Sequence, residues 1–109
     1  MAALLAKAIS SQGGGGGGSP IPKPYFSPAG GSWERNTPLP ITIGTTQTGG
    51  TMRYTKTGIP PTINTGTLIN GTIGSTTVPA NATTQLKAIT IFSGQVSDVY
   101  SQTYDISPP

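Results

Sequence analysis

The sequence predicts an all-β domain, an antiparallel sandwich of about seven short strands, preceded by a linker and a terminal peptide. Three observations lead there. Gly13 to Gly18 form an unbroken glycine run that cuts the 109-residue chain into two parts of unlike chemistry. After that run, apolar and polar residues alternate, with turn signals about every 8–12 positions. No helical period appears beyond Gly18. The chain therefore divides into a terminal peptide (1–12), a Gly/Pro-rich linker (13–24) and a β-sandwich (25–109).

The terminal peptide can be written on a helix. Met1, Leu4, Leu5 and Ala8 recur at i, i+3, i+4 and i+7, with Ile9 beside them. A lone helix of this length is marginal in water. Its apolar face is expected to order only on docking, as an anchor in a groove of a larger partner. A frayed tail and a helix packed on its own head are the competing readings. Whether the docked peptide is helical or extended stays open. Six glycines cannot hold a fold, because each loses maximal backbone entropy on ordering. They can tether, and a flexible dozen residues spans on the order of 20 Å. The alternating prolines Pro20, Pro22 and Pro24 stiffen the end of the leash toward extended backbone.

In the head, Pro28-Ala29-Gly30-Gly31 reads as a turn. Leu39, Ile41 and Ile43 alternate with Pro40, Thr42 and Gly44, giving a half-buried strand with a proline at its start. Residues 51–56 alternate again, with Met52 and Tyr54 on one face. Thr67–Ile69 and Thr72–Ile73 read as weak strands around an Asn70-Gly71 turn signal. Residues 84–92 form the strongest strand. Leu86 and Ala88 share one face, and Lys87, Ile89 and Ile91 the other. Ser93-Gly94 turns the chain, and residues 96–106 return. Met52, Tyr54, Leu86, Ala88, Tyr104 and Ile106 are the expected inward set.

Composition narrows function more than any motif does. The chain has no cysteine and no histidine, and its three acids are Glu34, Asp98 and Asp105. Acid–base, nucleophilic and metal chemistry lean on His, Cys or clustered carboxylates. An enzyme is therefore not expected, nor a metal site, nor any cofactor. The net charge of +3 comes from scattered basic residues, not from the clustered patch that nucleic acid requires. No segment approaches the ~20 apolar residues of a membrane span. Leu4 and Leu5, followed by Ala6-Lys7-Ala8, hint at a signal peptide. No basic residue precedes Leu4 and the apolar run is short, so a mature N-terminus is expected.

Several stretches of the head resemble the chitobiase/β-hexosaminidase C-terminal-type domain, an immunoglobulin-like module. These are Tyr25-Phe26-Ser27-Pro28-Ala29-Gly30-Gly31-Ser32, then Met52-Arg53-Tyr54-Thr55 with Gly58 and Pro61-Thr62. Thr84-Gln85-Leu86-Lys87-Ala88-Ile89, Ser93-Gly94 and Thr103-Tyr104-Asp105-Ile106 complete the set. The similarity spans about residues 25–106, in order. Thr57 departs from the family's usual Asp before the turn glycine, which bears on a turn cap. The resemblance implies an immunoglobulin-like sandwich without catalytic residues. Such modules act as spacers or binding units beside glycoside hydrolases, and immunoglobulin-like modules also occur on bacteriophage heads and tails.

Two functional expectations follow from layout and resemblance together. The first is a structural protein of a virus particle, a phage capsid-decoration, head-fibre or minor virion protein assembled in the host cytoplasm. Met1, Leu4, Leu5, Ala8 and Ile9 would bind the major capsid or another virion protein, with the chain present as a homo-oligomer or in many copies on a shell. The second is a carbohydrate-binding or spacer module of a surface or secreted protein. Trp33 and Tyr100, with Tyr25, would then offer a platform to a cell-surface glycan. A sandwich this small needs its few aromatics in the core, which weighs against the platform. Asn70 and Asn81 match the glycosylation pattern and are read as turn residues.

Overall fold

A computed structural model describes residues 21–109; the terminal peptide and the glycine run, with the anchor reading placed on them, lie outside the described residues. The strands are β1 (Tyr25–Ser27), β2 (Gly31–Glu34), β3 (Leu39–Gly44), β4 (Thr51–Thr55), β5 (Thr67–Ile69), β6 (Ile73–Val78), β7 (Ala82–Phe92), β8 (Gln95–Val96) and β9 (Tyr100–Ser107). They build two sheets. The smaller has the order β1-β3-β6. The larger has the order β2-β9-β7-β4-β5, with β8 paired to β7. The domain is an all-β sandwich.

The alternation seen in sequence sets the faces. Leu39, Ile41 and Ile43 of β3 point inward, as do Met52 of β4, Leu86 and Ala88 of β7, and Tyr104 and Ile106 of β9; all are buried. Phe26 and Val78 complete the core, and Tyr54 packs against it half-buried. Pro40 lies beyond the ladder of β1, which covers only Thr42, Ile43 and Gly44 of β3. There β3 has a neighbour on one side only, so a residue lacking an N–H is tolerated. Gly44 carries the ring of Tyr25 on its surface, and any Cβ at that position would overlap it.

The all-β sandwich is as expected, and four details differ from the sequence reading. The sandwich has nine strands, not about seven, and it is not wholly antiparallel. β2 runs parallel to β9, with Tyr104 opposite Gly31 and Ile106 opposite Trp33. The chain leaves β1 in the small sheet, crosses at Pro28-Ala29-Gly30 and joins the large sheet as β2; the Ser27-Pro28 bond is cis. Asn70-Gly71 is not a hairpin turn. β5 pairs with β4 and β6 pairs with β3, so residues 70–72 carry the chain from one sheet to the other. β6 also extends well past Ile73, to Val78.

The return after Ser93-Gly94 is interrupted. Ser93 and Gly94 both have positive φ, 52° and 74°, and close a two-residue hairpin between Phe92 and Gln95. Ile91 opposes Val96 but Ala88 opposes Tyr100. Three steps along β7 thus match four on the returning strand, which is a one-residue bulge. Its backbone is satisfied from within. The Ser97 N–H donates to the Thr90 carbonyl at 2.8 Å, and the Thr90 N–H donates to Ser97 Oγ at 2.9 Å. Thr90 Oγ1 in turn donates to Thr45 Oγ1 at 3.0 Å, tying the bulge to the β3–β4 crossing. The Thr45 N–H reaches the Thr72 carbonyl, so the 70–72 crossing joins the same network.

At the edge where β1 becomes β2, Tyr104 Oη donates to the Pro28 carbonyl at 2.6 Å. Burial of the phenol, with a smaller contribution from Tyr100, pushes its pKa up to about 12.

Two predictions follow. Leu86→Ala should cost about 2–5 kcal/mol, because Leu86 is fully buried between the sheets; urea unfolding measures it. Tyr104 ionises less readily in the fold than in the unfolded chain. Its contribution is therefore complete below the unfolded value near 10 and is lost as pH rises toward about 12. Tyr104→Phe should leave the Pro28 carbonyl unpaired at a cost of about 1–3 kcal/mol. It should also flatten the fall in stability across that alkaline window, as read by denaturation at stepped pH.

Candidate functional site

The two candidate regions are the anchor residues and the aromatic platform. Met1, Leu4, Leu5, Ala8 and Ile9 lie outside the described residues. What the structure does show is where their tether joins the head. Ile21 and Pro24, at the end of the linker, are already buried, so the head gathers chain from Ile21 onward. Tyr25 then pairs with Gly44 at the end of β3. The β3–β4 loop, the 70–72 crossing and the Ser93-Gly94 turn sit at that same end, as the registers of β4, β5 and β7 require. The leader thus enters beside the loop cluster that the Thr45–Thr90–Ser97 hydroxyls hold together.

Trp33 stands on β2, an edge strand of the large sheet. It opposes Ile106, an inward residue, and packs half-buried on the core. Its Nε1 is buried and finds no hydrogen-bond partner among the described residues. Tyr100 opposes Ala88, also inward. Its ring meets Phe26 of the other sheet at 4.9 Å between centroids, tilted by 60°. That geometry suits an aromatic pair stapling two layers. Tyr25 is the more open of the three, with its ring over Gly44. The structure does not bring these aromatics into one exposed plane. Trp33 and Tyr100 belong to different registers of the sheet, and both face inward.

The three acids are dispersed over exposed positions. Asp105 accepts from Thr83 Oγ1 at 3.2 Å. Glu34 follows two residues along the parallel ladder, since Asp105 opposes Ser32 and Ser107 opposes Glu34. Asp98 stands apart at the bulge. No group of three or more His, Cys, Asp or Glu side chains that could hold a metal occurs among the described residues. Among them, too, no helix is long and apolar enough to cross a membrane.

Arg35, Arg53, Lys56 and Lys87 are engaged by carbonyls and hydroxyls. Arg53 donates from Nε to the Ile63 carbonyl at 3.1 Å and from Nη1 to the Gly66 carbonyl at 2.7 Å, strapping the long β4–β5 loop. Lys56 Nζ donates to the Thr77 carbonyl at 2.9 Å on β6, an edge strand of the small sheet. A lysine on an exposed edge discourages further strand addition. Neither Arg53 nor Lys56 is marked for this role by its neighbours in sequence. Both act across loops whose folding brings distant carbonyls within reach, and nothing local signals that.

Compared with protein-family models, with curated proteins and with solved structures, the chain finds no match in any of the three.

A packing role and a platform role for Trp33 separate experimentally. Trp33→Ala should lower stability by about 1–3 kcal/mol, less than the full cost of a buried tryptophan because the side chain is half-buried. Circular dichroism during denaturation measures it. An unchanged midpoint would restore the ring as a free surface.

Proposed function

We propose that this chain is a non-enzymatic structural protein of a virus particle, a phage capsid-decoration, head-fibre or minor virion protein. It attaches through its N-terminal peptide and displays the sandwich on the virion surface after assembly in the host cytoplasm. The observation that carries the reading is the point of entry of the leader. The head closes its core with its own residues, and the chain enters it over residues 21–24, at the end where Tyr25 pairs with Gly44. By composition a glycine run imposes no orientation on what it carries, so attachment through it calls for something held upstream. Leu4, Leu5 and Ile9 are the largest apolar side chains there. Burying each yields about 1.5–3 kcal/mol before ordering costs. One peg alone binds weakly, so the reading calls for many copies on a repeating shell, or several pegs joined at a symmetry axis. The resemblance of the head to an immunoglobulin-like module of the chitobiase type is part of the same proposal.

The alternative, a carbohydrate-binding or spacer module outside the cell, has less support. Its best platform residues, Trp33 and Tyr100, are partly spent on the core.

The test is retention on purified particles. Leu4→Asp with Leu5→Asp and Ile9→Asp, or deletion of residues 1–12, should remove the protein from the particle while the head stays folded. Undiminished retention would sink the anchor and move attachment to the head.

A further inference from the structure

Residues 70–72 carry the chain from β5 in the large sheet to β6 in the small one, and both ends of that crossing are held. Ile69 pairs with Met52, and its side chain lies against Gly74, where a Cβ would come within 2.7 Å of Ile69 Cδ1. The Thr72 carbonyl accepts from the Thr45 N–H at 3.0 Å. Between these fixed points stand Asn70 and Gly71. Asn70 is exposed, and among the described residues no hydrogen bond engages its side-chain amide or the Gly71 N–H. The space around Gly71 is open, since a Cβ there would meet nothing within 4 Å. The other asparagines differ. Asn36, Asn64 and Asn81 precede Thr37, Thr65 and Ala82, each with a Cβ beside the amide nitrogen. Asn81 is also held at a φ of 57°.

We infer that Asn70 is a site of spontaneous deamidation, through a cyclic imide closed with Gly71. Water is the only co-reactant. The Gly71 backbone nitrogen gives up its proton to solvent and attacks Cγ of Asn70. A bond from Cγ to that nitrogen forms, the bond from Cγ to the side-chain nitrogen breaks, and the latter leaves with a proton as ammonia. Water then opens the ring. Attack at Cγ gives aspartate, and attack at the main-chain carbonyl carbon gives isoaspartate. Either product carries a carboxylate, so the net charge falls by one unit, from +3 to +2. Because Gly71 has no Cβ and its N–H is unengaged, the ring closes without breaking a hydrogen bond or displacing a neighbour.

The two products act differently on the fold. Aspartate leaves the main chain as it was. Isoaspartate adds one carbon to it, inside a span fixed by the Ile69–Gly74 contact and the Thr45–Thr72 bond. The added carbon loosens the tie between the crossing and the Thr45–Thr90–Ser97 hydroxyls. The chain thus carries an ageing mark at a junction of its sheets. The mark does not depend on the virion reading or on the N-terminal peptide.

Incubation of the full chain at mildly alkaline pH, followed by peptide mapping with mass spectrometry, tests it. Conversion should concentrate at Asn70, with isoaspartate the larger product, at a rate within several-fold of that in a free peptide of residues 67–74. It should quicken as pH rises, because the attacking nitrogen must lose its proton. Gly71→Ala has room for its methyl group and a φ outside the left-handed region, so it should fold as wild type while converting at least several-fold more slowly. The isoaspartyl form, separated chromatographically, should unfold at lower denaturant than the Asn70→Asp variant, with circular dichroism confirming that both are folded. Asn70 left intact in the folded chain while the peptide converts would overturn the inference. So would equal conversion at Asn36, Asn64 or Asn81, or an undiminished rate in Gly71→Ala. An isoaspartyl form as stable as Asn70→Asp would overturn the effect on the crossing.

Discussion

Everything in this fold depends on holding two sheets together over a core one side-chain layer thick. With no cysteine, no covalent link crosses that layer. Apolar burial supplies the attraction, but it is non-directional and does not by itself fix how the chain passes between sheets. The direction comes from a few buried hydrogen bonds at the crossings. Tyr104 holds Pro28 at the edge where β1 becomes β2. Thr90, with Thr45 and Ser97, holds the loop end. These hydroxyls are enclosed, so each loses water on folding and must find a protein partner instead. Thr90 finds the Thr45 hydroxyl, and Ser97 and Tyr104 find backbone groups.

What the sequence discloses and what it conceals divide along the range of the interaction. The inward set on β4, β7 and β9 was legible because alternation is local and every residue needed to see it lies within one strand. Alternation puts Ile89 on the outer face, but its burial there is not visible from its own segment. The parallel contact of β2 with β9 joins residues more than seventy positions apart. Asn70-Gly71 carries a hairpin signal, yet whether such a turn closes a hairpin or crosses between sheets is decided by where the flanking strands find partners. The alternation of residues 96–106 hid a bulge, because one extra residue shifts the period without breaking its appearance.

On function the sequence offers mainly a poverty of chemistry. Three dispersed acids and no histidine or cysteine leave little with which to build a reactive centre. Aromatic residues were the ambiguous class. Tryptophan and tyrosine suit both a binding platform and a small core, and only the register, which turns Trp33 and Tyr100 toward Ile106 and Ala88, weighs one use against the other.

The division of the first strand between the sheets has a mechanical consequence. A pull transmitted through the leader acts along β1, whose ladder with β3 is only three residues long. That load is taken in shear, with the short ladder stressed at once and not one rung at a time. Beyond Pro28 the same tension reaches β2, which lies alongside the final strand. The far end of the molecule is thereby tied to the point of traction. Slippage of β1 would first part Phe26 from Tyr100 and uncover the layer between the sheets, while the longer β7–β9 ladder stayed intact. The head is built to yield at its collar before its body.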